Sequence, residues 1–83
     1  MNNYRYHLGR RITEVLAMRN IRVSWVADML EYTRSNMYNI LSRETMDIEL
    51  LAKISSVVRY DFVTEYAREA GLQEYECKKV LNR

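Results

Sequence analysis

The chain has no proline, two glycines, one cysteine and one histidine among its 83 residues. Tight turns draw heavily on proline and glycine, so a loop-rich or all-β architecture is not expected. A lone thiol, Cys77, forms neither an internal disulfide nor a multi-cysteine metal site, and it suits a reducing cytosol. His7 has no second histidine or acid at ligand spacing, so no metal is expected. The two glycines, Gly9 and Gly71, lie too far apart for a glycine-rich phosphate loop. Cys77 also lacks a nearby base to activate it, and the pairs Glu65/Glu69 and Glu74/Glu76 fall on expected solvent faces. No catalytic constellation emerges, no cofactor is implied, and the chain does not read as an enzyme. Apolar runs stay well short of the roughly 20 residues of a membrane span. The opening residues, MNNYRYHLGRR, lack the apolar centre of a secretion signal. A soluble cytoplasmic protein is the expectation.

What the chain does have is helical patterning. Hydrophobic residues make up 48% of it, enough for one small core. Asn3 is placed to cap a first helix over about residues 4–19, striped by Leu8, Ile12, Val15 and Leu16. Gly9 interrupts that helix at a cost of about 1 kcal/mol, which suggests another helix crossing closely there. After Asn20-Ile21-Arg22, Val23 to Leu30 form a second helix with Val26, Ala27 and Leu30 on one face. Glu31 and Tyr32 break the pattern, and Thr33 is an N-cap for a third helix from Arg34 to Leu41. Its inward residues are Met37, Ile40 and Leu41; facing out are Arg34, Ser35, Tyr38, Asn39 and Ser42. After the loop Arg43 to Met46, Asp47 caps a fourth helix, Ile48 to about Val58, with Ile48, Leu51, Ala52, Ile54, Val57 and Val58 inward. Asp61 caps a fifth, Phe62 to Ala70, with Gly71 as its C-terminal stop. Residues 72–83 have a broken stripe of Tyr75, Val80 and Leu81. Three readings stay open there: a short sixth helix packed on the domain, pairing with a second subunit, or fraying.

Charge is distributed unevenly. Formal net charge is only +2, yet residues 1–60 carry nine Arg/Lys against six acids. The remainder carries four against five. Eight of the nine early bases are arginine, whose planar fork suits phosphate and guanine. The exposed side of the third helix is small, polar and rich in hydrogen-bonding groups, as base edges in a major groove require. A helix-turn-helix over about residues 23–42, in a DNA-binding domain of residues 1–71, is the leading expectation. Trp25 reads as a partly buried anchor against the first or third helix. Tyr4, Tyr6, Tyr60, Tyr66 and Tyr75 read as core-edge residues. A lesser reading joins Tyr4, Arg5 and Tyr6 into an N-terminal arm beside the motif.

With five helices in this order, the chain resembles the DNA-binding domain of the Xre/Cro-type phage repressor family. The likeness covers about residues 6–70. It runs through LGRRI (8–12), Ile21, Val26-Ala27, Leu30, Tyr32, Thr33, Met37 and Ile40, and ends in IELLAKISSVV (48–58). The chain departs from the family in having Glu31 where glycine is common in the turn, SRET (42–45) where another glycine often follows, and the exposed Trp25. The resemblance implies a compact all-α fold of five helices, acting as a homodimeric transcriptional repressor on a two-fold symmetric double-stranded operator. By position it implies that Thr33, Arg34, Ser35, Tyr38 and Asn39 face the bases. Arg22, Ser24 and Arg43 would hold phosphates. A protein-interaction module on the same fold, such as an antitoxin or a regulator-binding adaptor, is the alternative. In that reading Trp25 and Tyr38 would anchor a protein partner.

Overall fold

The computed structural model describes residues 6–69, and they form five α-helices with no strand among them. In chain order these are α1 (Leu8–Met18), α2 (Val23–Leu30), α3 (Arg34–Leu41), α4 (Ile48–Val58) and α5 (Phe62–Glu69). Their inward stripes close on one core. Leu8, Ile12, Val15 and Leu16 of α1 meet Val26 and Ala27 of α2, Met37, Ile40 and Leu41 of α3, and Leu50, Leu51, Ile54 and Val58 of α4; Phe62 of α5 completes the set. None of these is more than 9% exposed, and no polar or charged residue is buried among the described residues. The short helices therefore draw their stability from shared burial, since eight residues alone are too few to hold a helix in water.

Caps set the element boundaries. Thr33 Oγ1 accepts the Asn36 N–H at 3.1 Å, and Asp47 Oδ1 accepts that of Leu50 at 2.7 Å. Asp61 Oδ1 accepts from Thr64 N–H at 3.0 Å, which with the Thr64 hydroxyl lowers the Asp61 pKa. Three helices end in left-handed residues: Asn20 (φ 57°), Glu31 (φ 62°) and Arg59 (φ 65°). At the α2 terminus the Tyr32 N–H reaches Ala27 O and the Glu31 N–H reaches Asp28 O, the paired bonds of a Schellman cap. Glu31 thus occupies a left-handed site that glycine would occupy without strain.

Several expectations need correction. The first helix starts at Leu8, not near residue 4. Leu8 N–H donates to Glu44 O and Gly9 N–H to Arg43 O, so these donors serve the α3–α4 loop, not a preceding turn. His7 is the cap, its Nδ1 accepting from Arg10 N–H. In α4, Leu50 is inward, whereas Ile48 and Ala52 are exposed. Holding Leu51, Ile54 and Val58 in the core rotates Ile48 into solvent. Asn3, Tyr4, Arg5, the end of the fifth helix at Ala70-Gly71 and the whole tail 72–83 lie outside the described residues.

Gly9 behaves as its sequence position suggests. A Cβ there would fall 2.6 Å from the Leu41 carbonyl carbon and 2.7 Å from Arg43 O. The missing side chain lets α1 touch the end of α3 directly. That contact, with the two loop hydrogen bonds, fixes where α3 sits against the body.

Candidate nucleic-acid interface

The face that α3 turns to solvent follows from its burial. With Met37, Ile40 and Leu41 in the core, Arg34, Ser35, Asn36, Tyr38 and Asn39 all lie exposed. Arg34 and Tyr38 are four residues apart, as are Ser35 and Asn39, so the face consists of two adjacent rows. Among the described residues, Arg34 makes no side-chain hydrogen bond or ion pair that would hold it against the body. Thr33 is exposed at the helix start, its hydroxyl already accepting from Asn36 N–H but retaining its own proton to donate. Tyr38 stands 59% exposed, a large aromatic with a polar tip projecting from a short helix. Asn36 shares the outward exposure.

The second group concerns the start of α2. Arg22 is its N-cap residue with extended backbone (φ −81°, ψ 141°), yet it supplies no side-chain cap bond. Each of the other four helices has a side chain accepting from its first turn: His7, Thr33, Asp47 and Asp61. The Val23 and Ser24 N–H groups at the start of α2 therefore have no side-chain acceptor, beside the exposed Arg22, while the Trp25 N–H already donates to Arg22 O. Such an end attracts an anion through free donors and the helix dipole. Arg43, exposed in the loop after α3, uses only its backbone in the fold: its carbonyl accepts from Gly9 and its N–H donates to Ile40 O.

Not every basic residue is available. Arg11 Nε bonds Glu65 Oε1 at 3.1 Å, Nη1 bonds Glu14 at 3.0 Å and Nη2 bonds the Tyr60 hydroxyl at 2.9 Å. Arg19 donates to Val58 O and Arg59 O, closing the last carbonyls of α4, and lies over the Tyr60 ring. These two arginines belong to the scaffold. Glu65 is a further correction, because it does not stand on a solvent face. Its carboxylate accepts from Tyr6 at 2.6 Å, from Arg11, and from Tyr60 at 2.9 Å. Partial burial pushes its pKa up, but these three hydrogen bonds outweigh that and hold it below the ordinary value. Burial and the Glu65 carboxylate in turn raise the Tyr6 pKa. Tyr6 also packs on Tyr66 with ring centres 5.8 Å apart, so it is a core-edge residue and not part of an extended arm. This network ties α5 and the chain before α1 together, on residues that sequence spacing does not connect.

Trp25 is 45% exposed and lines a groove with Asn20, Ile21, Arg22, Val57, Val58 and Arg59, beside the end of α4. Among the described residues no cluster of His, Cys, Asp or Glu has the makings of a metal site, and no helix is long and apolar enough to cross a membrane. No family model matches the chain, and neither a curated protein nor a solved structure shows significant similarity to it.

Proposed function

We propose that the chain is a sequence-specific, double-stranded DNA-binding regulator of transcription of the Xre/Cro type. In this reading it acts as a homodimeric repressor with α3 in the major groove of each half of a two-fold symmetric operator. One observation carries it. α3 buries only Met37, Ile40 and Leu41 and presents Arg34, Ser35, Asn36, Tyr38 and Asn39 on a helix fixed to the body at both ends. The Schellman turn at Glu31 fixes its start, and the Gly9 contact fixes its end. A rigid support for small polar side chains suits base readout, where misplacement by an ångström loses a hydrogen bond.

Within that reading, Arg34 forks onto guanine O6 and N7, while Thr33 and Ser35 at the helix N-terminus donate to base edges or the adjacent phosphate. Asn39 pairs with adenine, and Tyr38 lies against a thymine methyl or the sugar edge. Arg22, Ser24 and the uncapped start of α2 take one phosphate and Arg43 another, setting register. Selection of bound duplexes from a random pool tests the proposal. Enrichment of two inverted half-sites about one helical turn apart is expected; a pool that stays random refutes it.

The second reading, a protein-interaction module, is favoured by one feature. Trp25 and Met29, four residues apart on the outer side of α2, are 45% and 55% exposed. A chain that binds no duplex near physiological salt fits this reading.

A further inference from the structure

We propose that the groove between the α1–α2 connection and the end of α4 is the docking site of the chain's own residues 72–76, LQEYE. The groove has a volume of about 540 Å³. It is lined by the apolar side chains of Ile21, Trp25, Val57 and Val58 together with Asn20, Arg22 and Arg59. Arg22 and Arg59 are exposed and make no side-chain hydrogen bond or ion pair among the described residues. Apolar lining residues together with two arginines free of side-chain partners ask for a ligand with an apolar body and carboxylates.

The chain carries such a segment beyond Glu69. Residues 72–76 set Leu72 and Tyr75 among Glu74 and Glu76. The rest of the tail, 77–83, carries Lys78, Lys79 and Arg83 with no acid, the wrong charge for this groove. Reach also allows it. The start of α5 is held at the last turns of α4, where the Phe62 N–H meets Ser55 Oγ at 3.3 Å and Phe62 is fully buried. The eight residues of α5 carry the chain about 12 Å away from that point. Six further residues, from Glu69 to Tyr75, span up to about 20 Å. Tyr75 can therefore return along the whole length of α5 and pass beyond it to the groove of its own molecule. A docked segment would place Tyr75 on Trp25 and a carboxylate beside Arg22. If Arg22 holds phosphate, a consequence that rests on the DNA-binding reading, the segment competes with DNA for it.

Trp25 is the only tryptophan of the chain, so its fluorescence reports the groove directly. Acrylamide quenching is measured on the full chain, on Tyr75→Ser and on the double variant Glu74→Lys/Glu76→Lys, with far-UV circular dichroism confirming an unchanged fold. Docking covers the part of Trp25 left open, so both variants are expected to quench about twofold more efficiently than wild type and to emit further to the red. Added salt should move the wild type toward the double variant by screening the carboxylate–arginine pairs. Equal quenching in all three proteins overturns the proposal. Protection that appears only as protein concentration rises also overturns it, since the groove would then be filled by a second copy. No DNA is present, so the outcome is independent of the DNA-binding reading.

Discussion

Replacing Gly9 by alanine adds one methyl group where α1 touches the end of α3. In an exposed helix interior the same change stabilises by about 1 kcal/mol, because alanine is the better helix former. Here the new carbon would stand 2.6 Å from the Leu41 carbonyl carbon and 2.7 Å from Arg43 O, well inside contact distance. Both neighbours are backbone, so no rotamer change relieves the clash. The helices must separate instead, at about 1–3 kcal/mol for overpacking. Separation also stretches Leu8 N–H to Glu44 O (2.9 Å) and Gly9 N–H to Arg43 O (3.0 Å). Each of these contributes about 1 kcal/mol. Offsetting the propensity gain against these costs leaves a net loss of about 2–4 kcal/mol, a large part of the roughly 4–12 kcal/mol expected for a chain of this length. Urea unfolding followed by circular dichroism measures it. The midpoint for Gly9→Ala should fall by on the order of 2 M, taking a slope of about 1 kcal/mol per M for so small a domain. An unchanged or raised midpoint would refute the close-approach account, because propensity alone would then have decided the sign.

Other outcomes follow from the same structure. Glu31→Gly relieves a left-handed side chain at φ 62° and should stabilise by about 0.5–1 kcal/mol after the extra unfolded-state entropy of glycine; a lowered melting temperature would contradict this. Glu65 has a folded-state pKa below its ordinary 4.5, so its contribution is present above that value and is lost as pH falls through the folded value. Acid titration of stability should therefore be steeper below about pH 4.5 for wild type than for Glu65→Gln. At neutral pH, Glu65→Gln should itself cost about 1–3 kcal/mol, since Tyr6, Arg11 and Tyr60 lose a shared charged acceptor. Arg34→Ala should weaken binding to a selected duplex by about 1–3 kcal/mol and relax preference at one base position, read by fluorescence anisotropy on matched and mismatched sites.

Where local signals and packing agree, the fold was legible residue by residue. The bounds of α2 and α3 coincide with the expected ones because periodicity, the Thr33 cap and the break at Glu31 all act within a few residues. The same periodicity exposes the outward row of α3, since burying Met37, Ile40 and Leu41 leaves one face free. Gly9 was legible for a related reason, as a costly residue inside a helix has to be serving a contact. Features set by distant partners were not legible. The start of α1 depends on Glu44 and Arg43, more than 30 residues away, which accept its first N–H groups. The phase of α4 is settled by which side meets Phe62 and α2, so Leu50 enters the core where Ile48 was expected. Glu65 looked like an ordinary surface acid because Tyr6 and Arg11 approach it from across the fold. The missing cap on α2 carried a local trace in Arg22, which has no side-chain acceptor for the helix start.

The salt dependence of duplex binding tests the central claim most directly. Binding of the full chain to a selected duplex, followed by anisotropy over a salt series, should show log K falling linearly with log salt. Two phosphate-holding arginines per protomer, Arg22 and Arg43, give a slope of about −4 for a homodimer. Arg22→Ala in both protomers should reduce that slope by about 2. Salt-independent retention, or no binding to any selected duplex near physiological salt, would contradict the DNA-binding account.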